Sequence, residues 1–328
     1  MNISILGTGA MGSLFGARLS RVANVALLGT WSEAVQAIRR EGIQVEGEGT
    51  FHPHAAGDPD DAPPADIAIL LVKTYQTERA AQWARRTLKP GGVALTIQNG
   101  LGNVELLAAQ VGVDRAMLGV TTQGATLLGP GQVRSGGRGT THLGFLPIER
   151  AAPRDWSADN LAYETTALLN AAGLSSVVSQ DVEALAWGKV IINAAINPLT
   201  AILRVPNGAL VESDDTLNLM WSIVAEAAAV AQAHGIALPY PNPFERVKNV
   251  AQATATNRSS MLQDVLKGRP TEIDAINGKI VERARAVNVP TPINATLTAL
   301  VRALEKGLTA ENAEHAKKEL SRLLDSRA

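Results

Sequence analysis

The first third of the chain alternates short, wholly apolar runs with stretches of helical spacing. Asn2–Leu6 and Val25–Leu28 read as strands, each followed by a helix, over Met11–Arg21 and Ser32–Arg40. Asp66–Val72 and Gly92–Ile97 read as two more buried strands, with the amphipathic stretch Gln76–Leu88 between them. Strands that are apolar on both faces and alternate with helices predict a parallel sheet covered on both sides. Gly42–His54 fits a small hairpin, and Asp58–Pro64 is a loop rich in Pro and Asp. The Gly- and Thr-rich segment Met117–Phe145 has period-two patterning and predicts further strands, with a turn at Gly129–Gly131. After about Pro153 the texture changes. Ala158–Ala172, Asp181–Asn197, Asp215–His234, Phe244–Thr256, Ser260–Lys267, Ile273–Val287 and Thr291–Lys306 all show helical spacing, with glycines at plausible stops. Asp215–His234 is apolar almost all round, which fits either a buried core helix or the interface of a homodimer.

The segment from Trp187 to Asn207 combines this helical pattern with chemistry. Lys189, Asn193 and Asn197 follow one another at intervals of four and share a face among apolar neighbours. A lysine there needs partners or a shifted pKa, because an unpaired buried charge is costly. Pro198 removes a backbone donor, so the helix is expected to kink or end just after Asn197. Two readings stand side by side. One is a polar strip that holds a ligand; the other is a lysine snorkelling to the surface with the asparagines capping or facing water.

Gly7-Thr8-Gly9-Ala10-Met11-Gly12 is G-x-G-x-x-G placed directly after a strand and at the start of a helix. The first glycine permits the tight turn, the second lets a pyrophosphate approach the backbone, and the third allows close packing of helix on strand. In that context the motif points to dinucleotide binding. The expected architecture is α/β: an N-terminal Rossmann-type doubly wound parallel sheet over residues 1–178, followed by an all-α C-terminal domain over 179–328. Beyond the second strand the chain reads Gly29-Thr30-Trp31-Ser32, with no acid before Glu33. Hydroxyls without a carboxylate favour NADP over NAD, although the usual arginine for the 2′-phosphate is missing. Lys73 and Asn99 stand at the carboxyl ends of two strands, where ligands of such sheets lie; a turn role for Asn99-Gly100 is the alternative.

Composition narrows the choice. The 328 residues are 46% apolar and 19% charged with a net charge of −1, so no global field recruits nucleic acid or anionic lipid. Cysteine is absent, which removes disulfides and thiolate nucleophiles. His52 and His54 lack the carboxylate spacing of a metal site, so none is expected. The N-terminus lacks a signal-peptide pattern and no apolar run approaches the ~18 residues needed to span a bilayer, so the chain is expected to be cytoplasmic and without a membrane partner. Near the end, Ser259–Asp264 looks like a helix start with a serine cap, and Glu272 in a first turn is explained by the helix dipole.

GTGAMG, VKTYQT, QNGLGN, GVTTQGAT with GPGQVRSGGRGTT, WGKVIINAAINPLTAILRVPNGAL and SSMLQD with TEIDAINGKIV follow in order. Together, over about residues 2–305, they resemble the 2-dehydropantoate 2-reductase (ketopantoate reductase) family. The resemblance implies NADPH-dependent reduction of a small-molecule 2-keto acid, ketopantoate, to pantoate in pantothenate and coenzyme A synthesis. It also implies a Rossmann domain followed by a helical domain, with the active site in the cleft between them. By that likeness the catalytic lysine falls on Lys189 and the active-site glutamate on Glu272. Asn193, Asn197, Asn207 and Ser260 fall on substrate-binding positions, and Lys73 and Asn99 lie on the cofactor side. A paralogue acting on another branched 2-keto acid and a non-catalytic NADP(H)-binding redox sensor are the rival expectations. The sensor would have no need of Lys189, Glu272 and Ser260 together.

Overall fold

A computed structural model describes residues 1–137, 139–146 and 156–307. Pro153 and Arg138 lie outside the described residues. The chain forms two compact units, Met1–Ala186 and Trp187–Ala328.

In the first unit the strands are β1 (Asn2–Leu6), β2 (Asn24–Leu28), β3 (Ile43–Val45), β4 (Gly49–Phe51), β5 (His54–Ala56), β6 (Ala65–Leu70), β7 (Leu88–Thr96), β8 (Ala116–Thr121), β9 (Ala125–Gly129), β10 (Gln132–Ser135), β11 (Thr141–Phe145) and β12 (Ser176–Val178). Its helices are α1 (Ala10–Leu19), α2 (Ser32–Glu41), α3 (Thr77–Thr87), α4 (Asn103–Val111) and α5 (Trp156–Ala171). The main sheet runs β12-β11-β8-β7-β6-β1-β2-β5. From β8 to β5 every pairing is parallel, whereas β11 is antiparallel to β8. The expected parallel core is therefore present. Strand order reverses at β1, with β2 on one side and β6 on the other, and this switch point opens a crevice at the strands' carboxyl ends. Ile3, Ile5, Leu27, Ile69 and Leu95 are at most 1% exposed, as strands covered on both faces require.

Two features differ from the sequence expectation. The hairpin is β3–β4 alone: His54 opens β5, which joins the main sheet beside β2. A second sheet, β4-β3-β10-β9, then pairs that hairpin with the one turning at Gly131. The pairing of β3 with β10 is parallel and joins residues about ninety apart, a long-range contact that local patterning does not report.

Helix α6 (Val182–Leu203) carries the chain from the first unit into the second; its Val182 and Ala186 pack in the core of the first. Its 22 residues are long and apolar enough to cross a membrane, contrary to the expectation that no run comes near that length, but 72% of that window is buried inside the fold. The second unit continues with α7 (Asp214–Ala233), α8 (Pro243–Ala253), α9 (Ser260–Leu266), α10 (Lys279–Ala286) and α11 (Pro292–Glu305). Its described residues contain no strand.

Helix α6 does not end at Asn197. It runs to Leu203 with Pro198 inside it. A proline at position 198 cannot donate to the carbonyl of Ala194, one turn back. That carbonyl instead accepts from Asn277 Nδ2 at 3.1 Å. A side chain from a distant segment thus replaces the missing backbone donor. Asn277 sits in a wide π-type turn over Asp274–Gly278 that runs directly into α10, so the expected helix from Ile273 is present but opens in π-type form. Such turns mark places where a helix admits an extra residue, often beside a functional group.

Candidate active site

In the first unit the glycine loop joins β1 to α1. Gly7 has φ +127°, and a Cβ there would lie 2.8 Å from the Leu71 carbonyl oxygen. A Cβ on Gly12 would lie 1.9 Å from the Gly7 oxygen, so close packing of helix on turn excludes any side chain. Gly9 differs. Its φ of −79° suits any residue, and a Cβ there would meet nothing within 4 Å. Neither the backbone angle nor crowding demands a glycine at this N-cap position, and the open space beside it fits a phosphate group approaching the backbone. Helix α1 has no side-chain N-cap and no acid in its first turn, so its N-terminal donors and dipole are available to an anion. Thr8 is 4% exposed, and its side chain packs against Gly29 at the end of β2.

Lys73 and Asn99 are both half-buried, beyond β6 and β7. A network that sequence reading missed ties their two loops together. Gln98 Nε2 donates to the Val72 carbonyl at 2.9 Å and to Thr77 Oγ1 at 2.8 Å, while its Oε1 accepts from Thr96. Thr77 Oγ1 also bonds Asn103 Oδ1 at 2.9 Å, and Asn103 Nδ2 donates to the Asn99 carbonyl at 2.8 Å. Gln98, Thr77 and Asn103 are buried. Satisfied buried polar networks of this kind fix the backbone that carries neighbouring groups. The available signal was the presence of polar residues beside apolar strand ends in both VKTYQT and QNGLGN.

The second unit carries the other set. Lys189 and Asn193 are half-buried and Asn197 is buried, all along α6. Burial pulls the Lys189 ammonium down to about 8, and the Glu272 carboxylate opposes the fall. Glu272 is buried at the entrance to the π-type turn; Thr271 Oγ1 accepts from Ile273 N, and Glu305 holds Thr271 N at 2.7 Å. Gly188, next to Lys189, admits Tyr240: the Tyr240 hydroxyl donates to the Gly188 carbonyl, and a Cβ there would lie 2.7 Å from that hydroxyl.

The cap of α9 is Ser259. Its Oγ accepts from Leu262 N at 3.0 Å and bonds Thr200 Oγ1 at 2.7 Å, and Thr200 in turn donates to the Asn197 carbonyl. Ser260 is the first helical residue and is exposed. Asn207 opens a 3-10 turn; its Nδ2 donates to Thr254 Oγ1 at 2.9 Å, and its Oδ1 is buried without a partner. Among the described residues no group of three His, Asp or Glu side chains gathers that could hold a metal ion.

Residues 3–147 match the family model described as Ketopantoate reductase PanE/ApbA, and residues 181–305 match Ketopantoate reductase PanE/ApbA C terminal. A 2-dehydropantoate 2-reductase of Pyrococcus horikoshii is 38% identical over 93% of this chain and 98% of its own length. The enzyme of that name from Halobacterium salinarum is 36% identical over 93% and 99%. Among solved structures, D-mandelate dehydrogenase with NADH and anilino(oxo)acetate aligns with a TM-score of 0.86 at 30% identity, covering 94% of this chain and 99% of that one. A PanE/ApbA family ketopantoate reductase from Ralstonia eutropha aligns at 0.83 with the same identity and coverage. A glycine loop on a parallel sheet and a lysine-bearing polar strip on a helical unit, matched along nearly the whole chain, place this protein in the ketopantoate reductase family.

Proposed function

We propose that the protein reduces the C2 ketone of 2-dehydropantoate to the alcohol of pantoate, with NADPH as the reductant. Gly7, Thr8, Gly9, Ala10, Met11 and Gly12 would hold the cofactor's pyrophosphate, with Lys73 and Asn99 on the same strand-end edge. When bound, NADPH supplies the hydride. Lys189 holds the proton that the resulting alkoxide oxygen takes, and its positive charge stabilises that oxygen as it develops. Glu272 orients Lys189 and keeps its ammonium charged against the pull of burial. Asn193 and Asn197, one and two turns along α6, bond the substrate's hydroxyl and ketone. Ser260 takes the substrate carboxylate. Asn207 belongs to the same set, although its amide nitrogen is already committed to Thr254. The reading carries a cytoplasmic location, a small-molecule keto acid as partner, and a homodimer as the assembly to be tested.

The observation that carries this reading is Lys189. A lysine half-buried on an apolar helix, opposite a buried carboxylate, is poised to give up a proton near neutral pH. The test is steady-state oxidation of NADPH and NADH across 2-keto acids, ranked by kcat/KM. Ketopantoate should lead. The likeness to D-mandelate dehydrogenase motivates one rival substrate, an aryl 2-keto acid such as benzoylformate. A higher kcat/KM for benzoylformate than for ketopantoate would reassign the substrate while leaving the reaction class intact.

Gly9→Ala separates ligand from fold. Because the added methyl meets no protein atom, and the entropy gained by replacing a glycine offsets the poorer capping by alanine at the start of α1, stability without cofactor should stay within about 1 kcal/mol of wild type. NADPH affinity should fall by about tenfold or more, since the methyl occupies the space left for the pyrophosphate. Thermal unfolding and cofactor titration measure the two halves separately; equal affinity for variant and wild type would remove Gly9 from the cofactor site.

A further inference from the structure

The stretch after β2 lacks an arginine in sequence, but the fold supplies one. Arg79 belongs to the first turn of α3, forty-nine residues away, and its Nη2 donates to Thr30 Oγ1 at 3.3 Å. Thr30 follows Gly29, against which Thr8 of the glycine loop packs. The guanidinium therefore stands beside the segment where such sheets distinguish one adenosine ribose from another. Thr30, Ser32 and Arg79 are all exposed, and Thr30 is the one hydrogen-bond partner of Arg79 among the described residues. Its other donors are therefore open to a ligand.

Placement in the helix adds an independent argument. A cation in a first turn lies against the positive end of the helix dipole, a choice that weakens the helix. Combined with that dipole, however, the guanidinium makes a locus that suits a dianion, and its planar fork matches phosphate geometry. The acids nearby are Glu33 and Glu78, both exposed. Glu33 accepts from Ser32 Oγ at 3.2 Å and stands in the first turn of α2, beyond the strand end where a ribose-binding carboxylate is expected.

We propose that Arg79 is the specificity-determining residue for NADPH over NADH in this chain. Its guanidinium, with the hydroxyls of Thr30 and Ser32, takes the 2′-phosphate. The proposal rests on the reductase reading given above, and its test reads binding rather than turnover. Dissociation constants for NADPH, NADH and 2′,5′-ADP are measured by calorimetry on the full chain and on Arg79→Ala, Arg79→Lys and Glu33→Gln. Wild type should bind NADPH more tightly than NADH. Arg79→Ala should weaken NADPH and 2′,5′-ADP by about ten- to a hundredfold while leaving NADH within about twofold. Arg79→Lys should fall between, because the charge stays and the fork is lost. Glu33→Gln should leave NADH affinity unchanged.

Unchanged NADPH affinity in Arg79→Ala, or an equal loss for both dinucleotides, would overturn the proposal. So would tighter binding of NADH by wild type, or a loss of NADH affinity in Glu33→Gln that assigns the ribose hydroxyls to that carboxylate. In those cases the reductase reading stands. If neither dinucleotide binds wild type, the reductase reading falls as well. A thermal midpoint for ligand-free Arg79→Ala equal to wild type excludes unfolding as the source of any loss.

Discussion

Lys189→Met lowers kcat for ketone reduction by about 10²–10⁴-fold, the usual worth of a positioned proton donor, while NADPH still binds. Methionine keeps the length of the side chain and removes its charge, so packing on α6 suffers little. The pH dependence has a definite sign. On the proposed mechanism reduction needs the protonated lysine, whose pKa burial lowers to about 8. Wild-type kcat/KM should therefore be level below pH 8 and fall above it, and alcohol oxidation, which needs the neutral amine, should rise through the same range. Glu272→Gln removes the opposing carboxylate and should move that break to lower pH. A profile that keeps its alkaline limb in Lys189→Met would assign the proton to another group.

The second large effect concerns Asn277, which is 0% exposed. Its Nδ2 bonds both the Ala194 carbonyl and Asn294 Oδ1. Asn277→Ala leaves both oxygens without those donors in the interior, at about 1–3 kcal/mol each, so a loss of roughly 2–6 kcal/mol is expected in denaturant titration. Pro198→Ala supplies the backbone N–H that Ala194 lacks. It should therefore recover about 1–2 kcal/mol more in the Asn277→Ala background than in wild type. A coupling energy within about 0.5 kcal/mol of zero would show that Asn277 does not substitute for the missing backbone donor.

Those two cases also show what the sequence made legible. Apolar runs of strand length and the glycine loop gave the parallel sheet, because both depend on neighbours along the chain. The strip Lys189–Asn193–Asn197 was visible as a helical face, though its meaning stayed divided between a ligand site and a snorkelling lysine. Hidden from that reading were relations between distant residues: the β3–β10 pairing, the Gln98 network, Arg79 beside Thr30, and Asn277 beneath Pro198. Local rules allowed a helix end at Pro198, which the structure excludes, for the same reason. They count the donor a proline removes but not the one another segment supplies.

Adjacent serines at the start of α9 divide labour in a way their shared letter conceals. Ser259 faces inward and links the helix start to Thr200 and the Asn197 carbonyl, whereas Ser260 faces outward. One position is answerable to the architecture and the other is not. With the substrate role proposed for Ser260, a lineage drifting towards a different keto acid can rewrite that residue without loosening the scaffold that supports it.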